Sequence, residues 1–143
     1  MATRNGSAIW RGDLQSGTGE VTVGNGVFSG NFSFKSRFED GAGTNPEELI
    51  AAAHAGCYSM QLSAMLAEAG TPPTSVETDA VCALRNIDGK PTITEIRLTT
   101  VGEVPGITEE EFQKVAAEAK EACLVTRALA GVAEVNLKAR FKN

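Results

Sequence analysis

From Leu49 to Ala67 the chain runs nineteen residues without an Asp, Glu, Lys or Arg, and any fold it adopts must house that segment. The segment is announced by a helix start. Asn45 can cap it, Pro46 suits the first helical position, and Glu48 stands three residues after the cap. It closes at Gly70, just before Pro72-Pro73. The expectation is one long helix from Pro46 to about Ala69. Its alanines are interrupted by His54, Ser59, Gln61 and Ser63, which makes it too polar for a membrane span. It reads as a helix buried inside a protein.

Strands flank that helix. Val21 and Val23, then Gly24-Asn25-Gly26, then Val27 and Phe28 read as a hairpin, and Phe32 and Phe34 continue the alternation toward Arg37. After the helix, Val76, Thr78, Ala80, Cys82 and Leu84 share one face of a strand. Asp88-Gly89 turns the chain into a partner strand, Thr92–Val101. Thr108 and Glu111 form a capping box for a second helix, with Phe112, Val115, Ala116, Ala119 and Cys123 on one face. Ala133, Val135, Leu137, Ala139 and Phe141 alternate along a last strand. The order β-β-α-β-β-α-β, with most strands in hairpins, is α+β and not doubly wound α/β.

The 143 residues suit a single domain spanning 1–143. A net charge of -5 with dispersed Lys and Arg makes nucleic acid and anionic membranes poor partners. The N-terminal Met1–Gly6 lacks the apolar core of a signal peptide, so the expected location is the cytoplasm. Three cysteines in a reducing compartment argue against a structural disulfide framework.

On the residues alone Cys57 is as readily a core cysteine as a nucleophile, because free cysteine is among the most buried residue types. Cys123 falls near the end of the second helix, where the helix dipole disfavours a thiolate. Of the two, Cys57 is therefore the better candidate to attack, and Cys123 suits a resolving role or plain packing. Cys82, on the apolar face of its strand, reads as core. His54 and Cys57, three apart on a helix, could join Cys123 around zinc, but no second His or Cys-x-x-Cys accompanies them. A lone His in an Ala-rich helix is more often structural.

The run from Arg37-Phe38-Glu39-Asp40-Gly41 through Asn45-Pro46-Glu47-Glu48-Leu49 to Ala53-His54-Ala55-Gly56-Cys57 closely resembles the family of OsmC and organic hydroperoxide resistance proteins, and its OsmC branch in particular. Ser59-Met60, Pro73-Thr74-Ser75, Val104-Pro105-Gly106-Ile107 and Ala122-Cys123 extend the likeness over nearly the full chain. The resemblance implies an intertwined homodimer with antiparallel sheets around two main helices and no metal or organic cofactor. It further implies reduction of organic hydroperoxides to alcohols in oxidative stress defence. By position, Cys57 matches the peroxide-reacting cysteine, Cys123 the second cysteine, Glu47 the catalytic-site glutamate and Arg37 the arginine of the OsmC branch. Arg11 competes with Arg37, because the organic hydroperoxide resistance branch uses an arginine nearer the N-terminus. Leu124 stands where family members often have Pro, and Cys82 has no counterpart. The implied reductant is an external dithiol, such as a lipoylated protein. A non-enzymatic stress or ligand-binding protein on the same fold is the alternative.

The chemistry gives each group a task. Only about 3% of an unperturbed thiol is ionised near pH 7, and lowering its pKa by roughly three units ionises it almost fully. An arginine against the sulfur can supply that shift and stabilise the departing alkoxide, and Glu47 would hold the arginine. Glu47 and Cys57 are ten residues apart, about 15 Å along a straight helix. Either the helix breaks near Ala55-Gly56, placing Cys57 at a new N-terminus, or a second subunit supplies one group.

Overall fold

A computed structural model describes residues 2–142. The elements are β1 (Gly6–Arg11), β2 (Thr18–Val23), β3 (Phe28–Ser33), α1 (Phe34–Phe38), α2 (Pro46–Glu68), β4 (Ser75–Ile87), β5 (Lys90–Glu103), α3 (Glu109–Ala122), α4 (Leu124–Ala128) and β6 (Glu134–Lys142). The α+β class follows from this order. The chain divides into two compact units, Met1–Leu49 and Ile50–Asn143.

In the first unit β1, β2 and β3 form an antiparallel sheet in that order. Val23 pairs with Phe28 across the expected Gly24-Asn25-Gly26 turn, and β1 adds a strand that the sequence pattern did not signal. The alternation through Phe34 does not continue as strand. Ser33 accepts from the Ser36 N–H while the Ser36 hydroxyl accepts from the Ser33 N–H, and this reciprocal cap starts α1 at Phe34. Local capping overrides the period-two pattern there. Asn45 then joins two helix ends: its carbonyl caps α2 by accepting from Glu48 N–H at 2.8 Å, and its amide donates to Ser36 O at 2.9 Å.

In the second unit β5 lies between β4 and β6. Asp88 and Gly89 both take positive φ and close the β4–β5 hairpin. Against the expectation of antiparallel sheets, β6 runs parallel to β5, so this sheet is mixed. The reason is the connection: α3 and α4 carry the chain back before β6 begins, which a hairpin could not do. The expected capping box is present, with Thr108 accepting from Glu111 N–H and Glu111 accepting from Thr108 N–H.

Ala51, His54, Tyr58, Leu62 and Leu66 form the buried stripe of α2 at helical spacing, while Ala52, Ala53, Gly56 and Met60 opposite them are exposed in this chain. The charge-free helix is thus buried along one face and not all round. That stripe from Tyr58 on packs with Ile96 and Leu98 of β5 and with Phe112, Ala116 and Ala119 of α3 in one core. Gly102 admits the Phe112 ring: a Cβ there would stand 2.4 Å from it. We expect Gly102→Ala to destabilise the protein by about 1–3 kcal/mol, seen as a lower urea midpoint with an unchanged slope. An unchanged midpoint would show that the ring is free to move.

Candidate active site

The second unit brings two sulfurs together. Cys57 sits midway along α2, one turn after His54. Cys123 is the joint between α3 and α4: its N–H donates to Ala119 O at 2.9 Å, and its carbonyl accepts from Arg127 N at 3.0 Å. With φ -58° and ψ 128° it is the last cap of one helix and the first cap of the next. The two Sγ atoms are 3.2 Å apart and not bonded in a disulfide. Cys57 is partly exposed, whereas Cys123 is wholly buried.

Their electrostatics differ from the sequence expectation. Burial pushes the Cys57 thiol up, and the neighbouring Cys123 sulfur pushes it further, against the backbone N–H groups of Val125 and Leu124. Burial also acts to raise Cys123, but the Thr126 N–H, the Cys57 thiol, the Thr126 hydroxyl and the Val125 N–H together bring it below the ordinary thiol value. The dipole of α3 disfavours a thiolate at Cys123, whereas the amides at the start of α4 act to lower it. Access still ranks Cys57 first, because Cys123 presents no surface to a solute.

His54 is fully buried, and its Nε2 lies 2.7 Å from Thr126 Oγ1. Its Nδ1 has no hydrogen-bond partner among the described residues. Burial lowers its pKa, so the ring is neutral near pH 7. Among the described residues no three His, Cys, Asp or Glu side chains converge as a metal site. Thr126 carried no sequence signal: a threonine after a broken helical pattern looks like any loop residue. Cys82 lies on β4, packed against the core as expected.

The first unit holds the ion pair. Arg37 Nε donates to both Glu47 oxygens at 3.2 Å, and its Nη2 donates to Oε1 at 2.7 Å. Glu47 is nearly buried in the first turn of α2, with 11% of its side chain exposed against 36% for Arg37. The guanidinium also lies 5.1 Å from the Phe38 ring centroid. Arg37 lines a cleft of about 430 Å³ with Trp10, Leu14, Phe32, Phe34 and Phe38. Arg11 lies on β1 opposite Thr18, and no carboxylate partner for it is found among the described residues.

Residues 39–138 match the family described as OsmC-like protein. The chain belongs to that family. It is 43% identical over 141 residues to the protein named Peroxiredoxin OsmC of Escherichia coli K12, covering 98% of this chain and 97% of that one. It is 31% identical over 99 residues to an Organic hydroperoxide resistance protein of Xanthomonas axonopodis pv. citri, covering 68% and 67%. Among solved structures, an organic hydroperoxide resistance protein from Elizabethkingia anophelis superposes with a TM-score of 0.77 at 25% identity, over 99% of this chain and 98% of that one. The longer and higher identity falls on the OsmC side. Leu124 keeps an N–H that a proline would lack, and that N–H lowers the Cys57 pKa.

α2 is helical from Pro46 to Glu68 without interruption. The break considered near Ala55-Gly56 does not occur, and Cys57 gains no helix N-terminus. Closing the sulfur gap from 3.2 Å to a bond of about 2.05 Å is a small motion. Mild diamide oxidation of the reduced protein should therefore link Cys57 to Cys123, read by mass spectrometry of unreduced peptides. Links confined to other pairs would contradict the geometry.

Proposed function

We propose that this chain is a thiol peroxidase that reduces organic hydroperoxides, with Cys57 as the peroxide-reacting thiol and Cys123 as the resolving one. The observation that carries the reading is the 3.2 Å separation of the two sulfurs, one partly exposed and one buried. The relatives' names, Peroxiredoxin OsmC and Organic hydroperoxide resistance protein, support a peroxide-detoxifying role.

The Cys57 thiolate attacks the terminal peroxide oxygen. An S–O bond forms, the O–O bond breaks, and the alkoxide takes a proton to leave as the alcohol. Cys123 then attacks the sulfenic sulfur. The S–S bond forms, the S–O bond breaks, and hydroxide takes the proton that Cys123 gave up to leave as water. An external dithiol restores both thiols by exchange and is itself oxidised to a disulfide. The resemblance suggests a lipoylated protein for that step.

Because burial raises the Cys57 thiol within one chain, the first step needs a cation that lowers it. Arg37 is the group we assign, held by Glu47 through its Nε and Nη2 donors. Glu47 and Cys57 stand ten residues apart on an uninterrupted helix, about 15 Å of rise. The reading therefore places Arg37 and Cys57 of one site in different copies of a homodimer. The exposed small-residue face of α2, Ala52, Ala53 and Gly56, supports a second copy packing there. The aromatic cleft beside Arg37 supports an organic peroxide over hydrogen peroxide.

Steady-state consumption of cumene hydroperoxide with a dithiol reductant tests this. Cys57→Ser should abolish turnover, and Arg37→Ala should lower kcat/KM by about 10²- to 10³-fold. Glu47→Gln, which leaves Arg37 charged but loosely held, should cost about tenfold. Normal turnover by Cys57→Ser would overturn the assignment of Cys57, and an unaltered protein that consumes no hydroperoxide would leave a non-enzymatic binding protein as the better reading.

A further inference from the structure

Two reduced thiols held this close form a second kind of site, one that needs no peroxide. The Cys57 and Cys123 sulfurs lie 3.2 Å apart with no bond between them. The fold sets that spacing. Tyr58, next to Cys57 on α2, donates to Ala116 O of α3 at 3.0 Å. Cys123 closes α3 by donating its N–H to Ala119 O at 2.9 Å. Both backbones are fixed before a ligand arrives, so a ligand that uses both sulfurs has little ordering to impose.

Span and valence decide which ligand fits. A tetrahedral zinc ion with ~2.3 Å bonds to sulfur holds two sulfurs roughly 3.8 Å apart and still requires two more ligands. Among the described residues no three His, Cys, Asp or Glu side chains converge to supply them. His54 is also engaged, with Nε2 at 2.7 Å from Thr126 Oγ1. A trivalent arsenic atom that carries one carbon takes two sulfurs and no more. Its bonds to sulfur are about as long as those of zinc and stand at about a right angle, so it spans roughly 3.3 Å. That is close to the observed gap, and thiol sulfur is the soft ligand such a centre prefers.

We propose that the reduced Cys57–Cys123 pair is a chelating site for monosubstituted trivalent arsenicals, RAs(OH)2. Cys57, which is partly exposed, displaces the first hydroxide. An S–As bond forms, an As–O bond breaks, and the thiol proton leaves with the hydroxide as water. The arsenic is then held against the buried Cys123 sulfur, which displaces the second hydroxide in the same way. Arsenic stays trivalent, nothing is oxidised or reduced, and the products are neutral. Both thiols come from one chain. The inference goes beyond the peroxidase reading and does not depend on it.

Mass spectrometry of the intact reduced protein treated with methylarsonous acid, CH3As(OH)2, decides the matter, because the two binding modes differ in composition. Chelation adds CH3As and removes two hydrogens, whereas attachment to one thiol adds CH3AsOH and removes one. The expected product is one chelated adduct per chain, and none on protein first oxidised with diamide. Cys123→Ser should carry only the single-thiol form and bind about 10²- to 10⁴-fold more weakly, since it loses the intramolecular second bond. Cys82→Ala should bind as the unaltered chain does. Should Cys123→Ser fail to fold, the adduct mass of the unaltered chain still decides. A single-thiol adduct on the unaltered chain, equal affinity in Cys123→Ser, or loss of the adduct in Cys82→Ala overturns the proposal. Consumption of cumene hydroperoxide by the same preparations tests the other reading separately. A chain that chelates arsenic and consumes no hydroperoxide keeps this site and loses that activity.

Discussion

The chemistry proposed for this chain depends on holding two sulfurs, 66 residues apart in sequence, at 3.2 Å. Neither thiol offers an interaction strong enough to do this alone. The distance is set by α2 and α3, which share a core with β5. Tyr58, one residue after Cys57, donates its hydroxyl to Ala116 O at 3.0 Å and ties the two helices together through a wholly buried bond. Such a bond stabilises by roughly 1 kcal/mol, yet leaving its carbonyl unpaired in the core would cost more. Phe112 and Leu62 fill the space around it, and dense packing makes the separation rigid.

The proton distribution between the sulfurs suits a two-step reaction only if it changes between steps. Within one chain burial raises the Cys57 thiol. The proposed first step needs the reverse, hence the need for an external cation. Once Cys57 carries oxygen it no longer competes as a thiolate, and Cys123 ionises without a neighbouring anion.

The long helix, the Thr108 cap, the β4–β5 hairpin and the alternation of β6 were legible because each has a local cause: capping chemistry, turn residues or a repeating apolar face. The direction of β6 was not, since strand alternation is the same in parallel and antiparallel pairing. β1 escaped notice because Gly6–Arg11 has no alternation that a half-buried strand would show, and most of it is exposed. The Cys57 and Cys123 assignments came from resemblance and from their placement on helices. α4 at Leu124–Ala128 was not legible, because five residues form a helix too short to produce a periodic signal. His54 looked structural and Thr126 looked like nothing, because a contact across 72 residues leaves no trace in local pattern.

The Arg37–Glu47 pair is better understood as orientation than as stability. With Arg37 a third exposed, solvent screening reduces such a pair to a small contribution. What the geometry provides is a guanidinium fixed at two positions by one carboxylate and braced against Phe38. Glu47 can hold it because Asn45 and Ser36 join the end of α1 to the start of α2, so both side chains grow from helix termini that cannot swing apart. A cation arranged in advance loses little freedom when an anion forms beside it, and its remaining N–H donors stay available to a sulfur or a departing oxygen. Lysine could match the charge but not the fork. This explains why a carboxylate is worth placing against the charge that the proposed reaction needs: it lessens the net positive charge, and in exchange it fixes the direction of the donors that remain.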